Sequence, residues 1–124
     1  MTASEIAEIT ALRRLFEAHR DQILSDYFDY LRFPSISTDS DHIPDVLACA
    51  AWVERYLDAA GFHVERWETA GHPTIFASYE VDPQKPTVLI YNHYDVQPVT
   101  EEQWQSPPFE PTVRDGEVFA RGAQ

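Results

Sequence analysis

An α/β fold with a mixed sheet is the class this sequence predicts, and three observations carry the prediction. Residues 3–31 and 43–60 hold two helical patterns. Short β-prone runs follow one another from about residue 62 onward. The third of them, residues 87–94, is apolar enough to read as a central strand covered on both sides. A chain of 124 residues fits one ordinary domain or a piece of a larger one.

The first helix is expected to open at a capping box, because Thr2 and Glu5 have the required spacing. Ile9, Leu12, Phe16, Ile23, Tyr27 and Leu31 then keep a helical rhythm. Phe33-Pro34 ends it, since the residue before a proline is pushed out of helical space. At 1.5 Å per residue this helix is ~40 Å long, more than so small a chain needs for itself. The polar stretch "PSISTDSDHIPD" leads into the second helix, with Pro44 suited to the first turn. Val46, Ala50, Val53, Leu57 and Ala60 form its apolar stripe, and Gly61 fits the position after its end.

"FHVERWET" and "TIFASYEV" read as strands joined by the turn "AGHP", and "DPQKP" turns into the run 87–94. Asp115-Gly116 between two short β-prone runs signals a closing hairpin. The order is helix, helix, three strands, loop, hairpin.

Composition excludes several classes of function. Hydrophobic residues make up 44% and aromatics 13%, enough for a core. The formal charge is −12, and the nine basic residues never gather, so neither nucleic acid nor an anionic membrane is an expected partner. "MTASEIAEIT" is acidic and polar, unlike a signal or transit peptide, and no apolar run nears the ~20 residues that span a bilayer. A cytoplasmic location is the expectation. Cys49 is the one cysteine, so no internal disulfide or cysteine-based zinc site can form, and it reads as a small buried hydrophobe. There is no G-x-S-x-G elbow and no phosphate-binding glycine loop.

His93-Tyr94-Asp95 is the chemically suggestive triplet. At a strand end, residues i and i+2 project to the same side and can converge. Ligand sites in open α/β sheets gather at such ends, and an imidazole oriented by a carboxylate is a common unit of zinc sites. On the residues alone, a pair that merely closes a strand is the preferred reading, because nothing nearby offers further ligands. His19-Arg20-Asp21 lies within a helix, where i and i+2 diverge, and reads as surface. His42, His63 and His72 are expected to be exposed and not ligating.

Three blocks then occur in order within residues 88–124: "LIYNHYDVQP", "WQSPPFEP" from Trp104 to Pro111, and "RDGEVFARGA" from Arg114 to Ala123. With the preceding "FPSIS" loop and the helix ending in "AAGF", they closely resemble the dinuclear zinc exopeptidases. That family includes aminoacylase, carboxypeptidase G, succinyl-diaminopimelate desuccinylase and the carnosine-type dipeptidases. The "HYDVQP" form leans toward the dipeptidases. Asn92 and Ala120 stand where relatives often have glycine, which reads as subfamily variation.

The resemblance implies a fold and a site. Residues 1–124 would be the N-terminal segment of a three-layer αβα catalytic domain, phosphorylase/hydrolase-like, with a mixed sheet. His93 would ligate one of two zinc ions, and Asp95 would be the catalytic-centre aspartate that orients it. The residue following the R-G-A-x block, here ending at Gln124, would be a bridging aspartate. The catalytic glutamate, the other ligands and a lid or dimerisation domain would lie further on. The chain is thus expected to be part of a longer enzyme, inactive and weak in zinc binding on its own. The substrate would be a small peptide or N-acyl amino acid, and the complete enzyme a plausible homodimer.

Near the site, Asn92, Trp104 and Arg121 are expected to be structural. Trp104 anchors a stiff proline-rich loop, with a direct substrate role as the lesser reading. Arg121 either pairs with a carboxylate or faces the substrate, the first being preferred. The alternative to an enzyme is a stand-alone, non-catalytic interaction module that kept the fold. Its acidic surface and unpaired strand edges would then serve binding to itself or another chain.

Overall fold

The computed structural model describes residues 1–123; Gln124, on which the expectation about the end of the R-G-A-x block falls, lies outside the described residues. Helix α1 spans Ala3–Leu31. Its capping box is formed as the sequence predicts, with the Thr2 hydroxyl accepting from the Glu5 amide at 3.2 Å and the Glu5 carboxylate accepting from the Thr2 amide. A short 3₁₀ turn at Ser40–His42 leads to helix α2, Ile43–Ala59, with Pro44 in its first turn. Ala60 caps α2, and Gly61 takes the left-handed position beyond it at φ 89°.

Strands β1 (His63–Trp67) and β2 (Thr74–Ser78) pair antiparallel, with Val64 opposite Ala77 and Arg66 opposite Ile75. Alternation sets the faces of this ribbon. Val64, Arg66, Ile75 and Ala77 are the more buried set, and the ribbon packs on α2, where Arg66 reaches Glu54 at 3.3 Å. On the other face Trp67 stacks on Phe76, ring centres 4.9 Å apart. Strands β3 (Thr112–Arg114) and β4 (Glu117–Phe119) form the second hairpin. Its two-residue turn has positive φ at both Asp115 and Gly116, 52° and 81°, as a type I′ turn requires.

The core sits where the end of α1, the 33–37 loop, the first half of α2 and residue 120 meet. Leu31, Ser35, Ile36, Val46, Cys49, Ala50 and Ala120 are buried there. Trp52 of α2 closes one side, stacked on Tyr56 at 4.8 Å and tilted against Tyr30 and Phe33. Cys49 is the buried small hydrophobe that was expected, and burial pushes its thiol up to about 11.

Two expectations fail, both for want of a neighbouring surface. Residues 87–94 are not a strand: Val88, Leu89, Ile90 and Tyr91 are 81–89% exposed, and no second chain segment pairs with them among the described residues. A central strand needs a neighbour on each edge, and its composition alone cannot supply one. Among the described residues, parallel pairing is limited to one bridge, between Ile36 and Val96. The apolar rhythm of α1 likewise meets nothing over its first half among the described residues. Leu12 is 66% exposed, with Ile9 and Phe16 also open, while the last turns pack through Tyr27, Tyr30 and Leu31. The mixed helix-and-strand class itself stands.

Candidate functional site

The run after the exposed segment is held by the loop that follows α1. Ile36 bridges Val96 in parallel, and the Val96 amide donates to the Ser35 carbonyl at 3.0 Å. Because side chains alternate along an extended loop, Ile36 faces the core while Ser35 and Ser37 reach across. The buried Ser35 hydroxyl donates to the Tyr94 carbonyl at 2.7 Å. The Ser37 hydroxyl donates to Oδ2 of Asp95 at 2.5 Å. The Tyr94 hydroxyl donates to the Pro73 carbonyl, tying the same run to the β1–β2 turn.

His93 and Asp95 converge as their spacing predicts. Nδ1 of His93 lies 3.0 Å from Oδ1 of Asp95 and 3.0 Å from its carbonyl oxygen. Both partners are acceptors, so the neutral ring carries its proton on Nδ1 and leaves the Nε2 lone pair free. Asn92 turns its side-chain oxygen to the His93 amide at 2.8 Å, a local brace. The Ser37 hydrogen bond, followed by that from His93, holds the Asp95 carboxyl below its ordinary 3.8 against the opposing effect of burial. Since the folded value is the lower one, Asp95 adds stability above 3.8 that is lost as pH falls through the depressed value. A carboxyl ¹³C titration of Asp95 is expected to show its midpoint below 3.8; a midpoint at or above it would contradict this hydrogen bonding.

Asn92, His93 and Asp95 line a cleft of about 460 Å³ with Tyr30, Trp104 and Arg121. Trp104 ends a short 3₁₀ turn at Glu101–Gln103 and is half-buried. Among the described residues Arg121 meets no carboxylate. Its Nη2 donates to the Pro98 carbonyl at 2.9 Å, and its guanidinium lies 5.3 Å from the Trp104 ring centre. In place of the expected carboxylate stand a carbonyl and a ring, and Nε of Arg121 is buried without a hydrogen-bond partner among the described residues.

Of the other histidines, His63 is open, but two depart from expectation. His42 donates to Asp45 at 2.8 Å, and the ring of His72 donates from Nε2 to the Ser37 carbonyl at 3.0 Å. Both are half-buried, because each sits at a turn that folds back on the core. Ser37 was missed by sequence reasoning. A loop serine has no period to betray it; the signal available was the i, i+2 serine pair in "FPSIS".

His93 and Asp95 fit a metal centre in one respect, a lone pair presented by an imidazole whose other nitrogen is fixed. Among the described residues no three His, Cys, Asp or Glu side chains gather into a ligand set. What is present is one imidazole and the carboxylate that holds it.

Comparison with known proteins shows which enzymes this chain is similar to. The sequence profile of peptidase family M20/M25/M40 matches residues 89–124, the stretch that contains His93, Asp95 and the cleft wall at Arg121. The chain resembles this family, as its three sequence blocks implied. Among individual relatives, the Cys-Gly metallodipeptidase dug1 of Schizosaccharomyces pombe is 32% identical over 90% of this chain and 26% of its own length. The solved di-peptidase Dug1p of Saccharomyces cerevisiae superposes with a TM-score of 0.84 at 27% identity, over 91% of this chain and 27% of that one. The metallo-carboxypeptidase Sso-CP2 of Sulfolobus solfataricus gives 0.71 at 35% identity, over 80% and 22%. Human carnosine dipeptidase 1 shares the fold, with 0.78 at 24% identity over 88% and 26%. The chain thus spans about a quarter of the length of the relatives it matches. No helix among the described residues is long and apolar enough to cross a membrane.

Proposed function

We propose that this chain is the N-terminal segment of a metallodipeptidase catalytic domain and contributes one metal ligand and its orienting carboxylate. The observation that carries the reading is the His93–Asp95 pair, which pins Nδ1 and frees Nε2 beside a cleft. Similarity to dipeptidases over nearly the whole chain supports a small peptide as substrate and hydrolysis as the reaction.

In this reading His93 holds one of two zinc ions, and Asp95 keeps the ring in the ligating tautomer and places negative charge beside it. The chemistry a zinc ion would supply there is Lewis acidity toward a water and the scissile carbonyl. Trp104 and Arg121 shape the cleft wall and hold the loop between residues 98 and 121 in place. The remaining ligands and the proton-transferring glutamate belong to other parts of such an enzyme.

The test is the coding sequence beyond the Gln124 codon, followed by assay of its product. An aspartate codon in a continuing frame is expected, with zinc-dependent dipeptide hydrolysis that His93→Ala abolishes. The 124-residue chain alone is expected to show none. A stop codon, with a soluble monomer or dimer as product, overturns the enzyme reading and favours the interaction module.

A further inference from the structure

The clasp between the 33–37 loop and residues 94–96 contains two serines with different duties. Ser35 is buried and bonds backbone, the Tyr94 carbonyl, so its work is to join two chain segments. Ser37 bonds the carboxylate that accepts from the His93 ring. Its own placement is fixed from two sides. The Ile36–Val96 bridge sets the register of the loop, and His72 donates to the Ser37 carbonyl from the β1–β2 turn. That turn is itself closed by the Thr69 hydroxyl, which donates to the His72 carbonyl at 2.7 Å and accepts from the Gly71 amide.

We propose that Ser37 is a positioning residue: its hydroxyl holds Asp95 Oδ2, so that Oδ1 faces the His93 Nδ1–H and Nε2 keeps its lone pair for a metal ion. The purpose, though not the geometry, rests on reading His93 as a metal ligand. A half-exposed carboxylate with one oxygen unheld can rotate about its last torsion, which is broad and two-fold. Rotation would carry Oδ1 off the imidazole, leaving the ring only the Asp95 carbonyl as acceptor. A free imidazole prefers its proton on Nε2, so a ring with one weak acceptor drifts toward the tautomer that cannot ligate through Nε2.

The experiment is ring ¹⁵N spectroscopy of His93 in the metal-free 124-residue chain, at a pH where the imidazole is neutral. The resonance is assigned with His93→Gln. In the native chain the Nδ1–H tautomer is expected to predominate. Ser37→Ala is expected to lower the ratio of Nδ1–H to Nε2–H about threefold, in line with the net worth of one hydrogen bond. Ser37→Thr, which keeps the hydroxyl, is expected to restore it. Ser35→Ala should weaken the fold yet leave the His93 ratio unchanged. The amides of Ser35, Tyr94 and Val96 report whether Ser37→Ala stays folded, and Ser37→Cys, a weaker donor of similar size, replaces it if it does not.

A native ratio in the Ala or Cys variant, with those amides undisturbed, overturns the proposal. A ratio that Thr fails to restore overturns it too. Cobalt(II) alone, added to the native chain, tests the other reading separately, because its paramagnetism broadens a ligating ring even at weak affinity. A His93 ring untouched by cobalt, with the Ser37 effect intact, would remove the metal-ligand reading and leave the positioning role.

Discussion

Val46→Asp is expected to abolish the cooperative folding of this chain. Val46 lies in the first turns of α2 with no solvent exposure, and the buried set around the same core is Leu31, Ile36, Cys49, Ala50 and Ala120. None of these can neutralise a carboxylate. Arg66 and Arg32 are already committed to carboxylates elsewhere, Arg66 to Glu54 and Glu68, Arg32 to Asp29 and Glu110. An unpaired buried charge costs about 3–5 kcal/mol. A small domain has about 5–15 kcal/mol to lose, and this core is too small for the upper end. Urea titration followed by circular dichroism is the measurement, with Leu47→Asp as the comparison. Leu47 is 39% exposed on the same helix, and its substitution is expected to cost under about 1 kcal/mol. Equal effects of the two would show that Val46 is not the packing centre.

The legible parts of this fold are those set by local rules. The α1 start follows from the Thr2–Glu5 spacing, its end from Phe33-Pro34, and the second hairpin from Asp115-Gly116, all satisfied within a few residues of chain. The His93–Asp95 pair was legible for the same reason, since its geometry needs only an extended backbone. Residues 88–91 and the first half of α1 were misjudged because an apolar pattern states a demand for burial without saying what will meet it. Ser37 and His72 were illegible for the opposite reason. Each becomes part of the site through contacts 58 and 35 residues away along the chain, and no pattern of a loop serine or turn histidine encodes that distance. Arg121 shows a finer limit: that it would be held was foreseeable, but a carbonyl and an indole serve in place of a carboxylate.

Gly122→Ala is expected to be the second most damaging substitution, and to reach the site as well as the fold. Gly122 has φ of +90°, where any Cβ is strained. An added Cβ would also lie 3.1 Å from Val96 Cγ1 and 3.7 Å from Leu31 Cδ2. Gly116 separates the two effects, since it has φ of +81° in the β3–β4 turn but open space around it. Backbone strain alone costs about 1–3 kcal/mol, and overpacking adds about 1–3 more. Gly122→Ala should therefore lower the unfolding free energy by at least about 1 kcal/mol more than Gly116→Ala does. The surplus has a destination. Val96 carries the bridge to Ile36 and the hydrogen bond to Ser35, so a displaced Val96 loosens the clasp that sets Asp95 against His93. Hydrogen exchange at the Val96 amide should accelerate in Gly122→Ala and stay native in Gly116→Ala. Equal losses of stability, with Val96 protection unchanged in both, would mean that residue 122 contributes only its backbone angle and does not support the site.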